Sequence, residues 1–228
     1  MPQENYAEQR RLLVEKLSRE GYIKSPSIKR AFLKVPRHMF VPPRLRDAAY
    51  LDTPLPTLKG QTISAPHMCA LMCELLSPRQ GDKILEIGTG SGYHAALCAE
   101  VAAPSLLGDG LVVTLELEPE LARFAWKNLK EAGYGAKVHV IIADGSFTLP
   151  LRKAFTRGLV TAACPRDPQN LLEVLLDGSI AVAPVGSYYL QELIVFRKTN
   201  GITIKERKGP VLFVPLRGVG TGDGHSHS

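Results

Sequence analysis

The chain has 228 residues, of which 45% are hydrophobic and 22% charged, and a formal net charge of +6. These values are those of an ordinary globular chain, and one domain with a real core is expected. No apolar run approaches the roughly 20 residues that cross a bilayer, and Met1 to Glu20 is polar with no signal-peptide core, so a cytoplasmic protein without membrane association is expected. Cys69, Cys73, Cys98 and Cys164 are scattered through structured segments, which argues for reduced thiols and against a disulfide framework. Lys and Arg are spread along the chain instead of forming a stripe with interleaved aromatics; this argues against nucleic acid as a partner and leaves an acidic peptide compatible.

In chain order, Glu8 to Glu20 carries Leu12, Leu13 and Leu17 at helical spacing and stops at Gly21. A second helix is expected from Ser25, as cap, with Ile28, Ala31, Phe32 and Val35 on its apolar side and Pro36 ending it. Phe40 to Ser64, rich in Pro, Thr and Gly, reads as an ordered irregular segment of the kind that often carries function. After a helix at Pro66 to Leu76, short apolar strands alternate with helices. Strands are expected at 83–87, 111–117, 138–143, 158–162 and 179–184, and helices near 93–101, 119–131 and 168–176. That order implies a mostly parallel α/β sheet. Asp177-Gly178 reads as a turn before the fifth strand, and Asn200-Gly201 as a hairpin turn between antiparallel C-terminal strands. Gly218 to Ser228 is expected to be a mobile end.

The first chemical motif, Glu86-Ile87-Gly88-Thr89-Gly90-Ser91-Gly92, sits where the first core strand turns into a helix. A dinucleotide fingerprint needs glycine at position 93, which is Tyr93, so a nicotinamide site fits poorly. A carboxylate at this strand end suits a ligand with a cationic ammonium better than a pyrophosphate. Glu116, near the end of the second strand, is placed where nucleotide-binding α/β folds accept ribose hydroxyls. Asp144-Gly145 after the third strand offers a carboxylate for an adenine amino group and a close turn. Each alone is ordinary; three carboxylates at successive strand ends point to an adenosyl pocket.

The stretch Tyr50 to Met68, with Asp52-Thr53-Pro54-Leu55-Pro56 followed by Gly60-Gln61-Thr62-Ile63-Ser64 and Pro66, resembles the protein-L-isoaspartate O-methyltransferase family. Val35-Pro36-Arg37, Ile84 to Tyr93, Val160-Thr161-Ala162-Ala163, Pro184-Val185-Gly186 and Phe213-Val214-Pro215-Leu216 extend the resemblance from about Ala31 to Leu216. It implies a Rossmann-like methyltransferase domain over 1–217, with helices and a substrate and cofactor loop in 1–78 and the core in 79–217. It also implies S-adenosylmethionine as donor, S-adenosylhomocysteine as product, and isoaspartyl-containing proteins and peptides as acceptors. By the same resemblance, Gln61, Thr62, Ile63 and Ser64 close over the cofactor. Glu86, Gly88, Thr89 and Gly90 hold its methionine part, Glu116 its ribose, and Asp144 and Gly145 its adenine. Ser64 is the active-site residue, and Pro56, His67 and Val214 hold the substrate.

Ser64 has a second reading as the cap of the helix begun by Ala65-Pro66. Cys69 and Cys73, one helical turn apart with His67 nearby, sit among Met68, Leu71 and Met72 and read as core; no metal is expected. Trp126 reads as a packing residue, and His225 and His227 as incidental to the tail. Departures from the family pattern fall at Thr57-Leu58-Lys59, at Ala143, at Phe155-Thr156-Arg157 and at Cys164-Pro165-Arg166. The alternatives to isoaspartyl repair are methylation of another carboxylate or small molecule, and an adenosyl-binding module without turnover.

Overall fold

The computed structural model describes residues 2–105 and 110–221, with side chains described from Asn5 onward. The N-terminal part holds α1 (Pro2–Arg19), α2 (Pro26–Lys34), 3₁₀ turns at Arg37–Phe40 and Pro43–Ala48, a two-strand ribbon of β1 (Leu55–Pro56) and β2 (Thr62–Ile63), and α3 (Pro66–Leu76). Leu13, Val14 and Leu17 of α1 and Ile28, Ala31 and Phe32 of α2 are buried, as their helical spacing requires. Ser25 stands at the N-cap of α2 as expected, but its side chain does not bond the first turn of the helix. Its hydroxyl instead donates to Glu74 Oε2 at 2.5 Å, tying α2 to α3.

The core is β3 (Lys83–Ile87), α4 (Tyr93–Ala102), β4 (Leu111–Glu116), α5 (Pro119–Glu131), β5 (Val138–Ile142), β6 (Phe155–Val160), α6 (Gln169–Glu173), β7 (Leu175–Gly186), β8 (Gln191–Thr199) and β9 (Ile202–Val211). The sheet order is β5-β4-β3-β6-β7-β8-β9. The strands from β5 to β7 run parallel, and β8 and β9 pair antiparallel. Strands covered on both faces carry near-continuous apolar runs, which is why Ile84 to Ile87 and Leu159 to Val160 lack alternation. Helix α4 is buried throughout, because α2 packs over it and the sheet lies beneath. The architecture is Rossmann-like, with antiparallel C-terminal strands and an N-terminal helical addition.

Four expectations are corrected. The helix expected at 168–176 is only five residues long, and β7 begins already at Leu175. Asp177-Gly178 therefore lies inside β7, where the register slips from Phe155↔Leu175 to Arg157↔Ile180 and the extra residues bulge; the Asp177 carboxylate there accepts the Gly201 amide of the β8–β9 turn. Trp126 is 52% exposed, with the Lys130 ammonium 5.1 Å from its ring, so it is not a core residue. Gly218 to Thr221 form an ordered turn, in which the Val219 amide donates to Asp144 Oδ2 at 2.8 Å and the Gly220 amide to Ser146 Oγ at 3.0 Å. The rest of the expected mobile end, 222–228 with His225 and His227, lies outside the described residues.

Two ionisable groups are wholly buried near the sheet's C-terminal edge. Arg37 donates from Nε to the Ala49 carbonyl and from Nη2 to the Ser64 carbonyl, both at 2.8 Å, and its guanidinium lies 4.9 Å from the centre of the Tyr93 ring. The cation is thus held by carbonyls and a π face, joining the irregular segment to the start of α4. Arg37→Met should leave two buried carbonyls without donors and cost about 2–4 kcal/mol, read as a lower urea midpoint; an unchanged midpoint would remove Arg37 as an anchor.

Glu86, in β3, accepts the Thr114 hydroxyl at 2.6 Å on Oε2, while Oε1 is buried with no partner among the described residues. Burial pushes its pKa to about 8, opposed by the Thr114 hydrogen bond and helped by the nearby Glu116 charge. The folded state therefore keeps a proton that the unfolded chain loses near pH 4.5. Its stabilising contribution is full below that value and is lost progressively as pH rises through about 8. Comparing chemical denaturation at pH 5.5 and pH 8.5 should show a stability loss in the ligand-free protein that Glu86→Gln lacks, since the amide does not titrate; the same loss in the variant would assign it to another group.

Candidate active site

Between β3 and β6 the chain order of the sheet reverses: β3 leads outward to β4 and β5, and the chain returns to β6 on the other side. The loops leaving the C-terminal ends of β3 and β6 diverge there and open a crevice, the usual ligand position in such sheets. After β3 the Gly88 and Thr89 amides donate to the Leu115 carbonyl, which folds the loop back over β4. Gly88 has φ +94°, and a Cβ there would lie 2.6 Å from Thr161 Oγ1, so only glycine fits between the two loops.

The crevice is bordered by Gly88, Gly90, Glu116, Gly145 and Thr161 on the sheet side, and by Gln61, Thr62 and the segment Val214 to Arg217 across from it. Glu116 accepts the Gly90 amide at 2.9 Å and the Glu118 amide at 3.1 Å, which aims its carboxylate and leaves acceptor capacity for hydroxyls. Gly145 packs so closely that a Cβ would meet Ile87 at 2.5 Å, which keeps this wall thin. Two ion pairs bind the flanking segments to the start of α5: Lys59 to Glu120 at 2.7 Å and Arg217 to Glu118 at 3.2 Å. The unusual Thr57-Leu58-Lys59 loop is thus part of the tie that holds Gln61 and Thr62 over the crevice. An aimed carboxylate and a glycine turn of this kind fit an adenosyl ligand.

Three expected contacts are placed differently. Glu86 does not border the crevice; it lies under the Gly88–Gly92 turn, bonded to Thr114, whose hydroxyl is 2.8 Å from that of Thr89. Its burial and its bond to Thr114 place it in support of the turn. Asp144, expected at the adenine, adjoins Gly145, but Oδ1 accepts from the amide and hydroxyl of Ser146 and Oδ2 from the Val219 amide. Burial works to raise its pKa, and these hydrogen bonds outweigh it and hold the carboxyl below its usual value. Pro56 is exposed and pairs with Thr62 in the β1–β2 ribbon; the pairing turns Thr62 to the groove, and Pro54 borders it in place of Pro56.

A second cavity holds Ile63, Ser64, Thr89 and Thr161, and a third, wider groove of about 690 Å³ holds Ser64, His67, Phe213 and Val214. Ser64 borders both. Helix α3 is capped by Ala65, so Ser64 is not its cap, and among the described residues its hydroxyl has no hydrogen-bond partner. The Ser64 carbonyl is fixed by Arg37 while the hydroxyl stays free for a ligand. Asp52 Oδ1 accepts the His67 amide and faces His67 Nδ1, each at 2.9 Å, so the ring presents its other edge to the groove.

Sequence reasoning gave no role to Thr161, which borders all three spaces, to Arg37, or to Arg217. Thr161 and Arg37 both lie in stretches that carry the family resemblance, Val160 to Ala163 and Val35 to Arg37, which was the available signal for them; nothing local marks Arg217. The departures at Thr156 and Arg157 lie at the opposite end of the sheet, where the Thr156 hydroxyl donates to Asp82 at 2.7 Å and Arg157 lies 3.5 Å from the same carboxylate. They bear on stability there and not on the crevice. The four cysteines are free and buried. Cys73, His94 and Cys98 bring their ligand atoms within 4.8 Å of one another. Hydrogen bonding with Cys98 and burial raise the pKa of Cys73, and burial lowers that of His94 to about 4, so thiol and neutral imidazole pack as core.

Comparison with known proteins agrees with this geometry. The sequence profile of the protein-L-isoaspartate(D-aspartate) O-methyltransferase family matches residues 8–220. Protein-L-isoaspartate O-methyltransferases of Methanopyrus kandleri and Hyperthermus butylicus are each 52% identical, covering 92% and 95% of this chain and 91% of each relative. A Plasmodium falciparum crystal structure, described as a protein-L-isoaspartate O-methyltransferase in complex with S-adenosyl-L-homocysteine, superposes with a TM-score of 0.80 at 27% identity, over 90% of this chain and 96% of that one. The chain belongs to the protein-L-isoaspartate(D-aspartate) O-methyltransferase family.

Proposed function

We propose that the protein transfers a methyl group from S-adenosylmethionine to the free α-carboxylate of L-isoaspartyl residues in damaged proteins and peptides, which starts repair through a succinimide. The observation that carries this reading is the position of Ser64, on both the cavity beside the glycine turn and the groove that leads outward. An acceptor entering by the groove meets the donor side of the site at that hydroxyl.

The cofactor supplies a methyl group on a cationic sulfur; the carboxylate oxygen forms the new bond to carbon, and the breaking bond leaves its electron pair on sulfur. The isoaspartyl carboxylate has a pKa of roughly 3–4, so it is an ionised nucleophile near neutral pH and needs no general base. The protein's work is alignment and exclusion of water, which contributes roughly 7–11 kcal/mol when geometry is well set. Ser64 donates a hydrogen bond to the carboxylate and orients it. Glu116 receives ribose hydroxyls, Gly88 and Gly90 let the backbone approach the methionine part, and Gln61 and Thr62 cover it. His67, held by Asp52, and Val214 line the path of the substrate chain. A cytoplasmic location is part of the proposal and is consistent with four free buried thiols. No helix among the described residues is long and apolar enough to cross a membrane.

Labelled methyl transfer to a peptide pair differing only in isoaspartate or aspartate tests the reaction: selective labelling of the isoaspartyl peptide is expected, and cofactor binding without transfer to either would overturn it. Ser64→Ala should lower kcat by roughly an order of magnitude or more while S-adenosylhomocysteine affinity stays nearly constant, because only the acceptor loses a contact. An unchanged kcat would remove Ser64 from the reaction.

A further inference from the structure

The outer end of the substrate groove is built from large side chains left in solvent. Tyr188 is 65% exposed, Tyr189 91% and Leu212 81%. All three border the groove that also contains Ser64, His67 and Val214. Exposed aromatic and aliphatic groups gathered in one place mark a binding surface more often than singly scattered ones do.

Their support is rigid. Ser187 to Leu190 connect β7 to β8 in a tight loop, closed where the Leu190 amide donates to Ser187 Oγ at 3.3 Å. A Cβ on Gly186 would lie 2.1 Å from the Leu190 carbonyl oxygen, so the loop is pressed against its own start. The buried Gln191 side chain donates to the Phe213 carbonyl at 3.0 Å and accepts the Phe213 amide at 2.7 Å, which fixes Leu212 and Val214 beside that loop. Tyr188 and Tyr189 meet edge to face, their centres 5.1 Å apart.

The chemistry of the groove narrows what sits there. No Lys, Arg, Asp or Glu borders it among the described residues, and its basic side chain is His67. At about 690 Å³ it is far larger than one carboxylate-bearing side chain needs, and its size is that of a pocket holding a drug-sized molecule. A carboxylate at Ser64 has the crevice behind it, so the residues next to it in the substrate chain run outward through this groove, past the two tyrosines and Leu212.

We infer that Tyr188, Tyr189 and Leu212 form a shelf for an apolar or aromatic side chain next to the isoaspartyl residue, so that damaged sites with such neighbours are taken in preference to those with charged neighbours. The inference rests on the isoaspartyl reading above. Apolar neighbours lose water on the shelf and gain ring contacts, whereas a charged neighbour is desolvated against a wall that holds no Lys, Arg, Asp or Glu among the described residues.

The test compares isoaspartyl peptides with Phe, Gly or Glu beside the damaged residue. Wild-type protein should show the lowest KM for the Phe peptide and the highest for the Glu peptide, with similar kcat. The double variant Tyr188→Ala, Tyr189→Ala should raise KM for the Phe peptide by roughly 10-fold, leave kcat near its original value and change the Gly peptide little. Tyr188→Phe with Tyr189→Phe should keep the preference, because the ring faces carry it and not the hydroxyls. Transfer to all three peptides with equal KM, or a variant that raises KM equally for Phe and Gly, overturns the shelf alone. No transfer from wild type to any isoaspartyl peptide overturns the functional reading and the shelf with it.

Discussion

The constraint on which the rest depends is the reversal of strand order between β3 and β6. Two parallel strands that are neighbours in the sheet send their following segments in opposite directions, so no loop can bridge the gap above them. The crevice walls gather around that opening: the glycine turn after β3, Glu116 at the end of β4, Gly145 after β5 and Thr161 after β6. The close packing of Gly88 against Thr161 is the seam of this arrangement, and it leaves no room for a side chain.

The crevice alone would be an open trough. It becomes a site with an inner and an outer side because segments from both ends of the chain cross it. Gln61 to Ser64 come from the irregular N-terminal region, and Val214 to Arg217 from beyond the last strand. The first is held by the buried Arg37 guanidinium through the Ser64 carbonyl, and the second by the Gln191 clamp on Phe213 and by the Arg217 pair with Glu118. These ties are of unequal strength. Arg37 is buried with no carboxylate partner and is costly to disturb, whereas the Lys59 and Arg217 ion pairs are substantially exposed and each contributes little alone. The Ser64 backbone is therefore the firmly placed part of the cover.

The electrostatics of the site follow from burial. Glu86 is neutralised near physiological pH because it lies under the turn, whereas Glu116 is reached by backbone amides and the crevice. A motif carboxylate expected at the crevice thus supports the loop, and the carboxylate that borders the crevice, Glu116, is one strand away. Asp144 shows the converse effect, in that the C-terminal turn supplies a donor to a carboxylate that the linear motif presents as free.

The sequence by itself determined the strand and helix order, the glycine turn, the Glu116 position and the family, because each is written in local spacing: apolar runs, the Gly88-Thr89-Gly90 stretch and the Gly60 to Ser64 segment next to Pro66. It also placed Pro66 to Leu76 as a helix to the residue. What only the tertiary structure decided is which of those residues face the same space. Glu86 and Glu116 are alike as buried strand-end carboxylates, and only the path of the overlying turn leaves Glu116 on the crevice wall and Glu86 beneath it. Ser64 has a second reading as a helix cap, and only the structure puts Ala65 in that place and shows Arg37 fixing the Ser64 carbonyl. Val219 and Asp144 are 75 residues apart, so their bond has no trace in any window of sequence. Spacing encodes what a segment becomes; contacts across long separations depend on loop paths that no local pattern specifies, and those contacts decide which side chains meet a ligand.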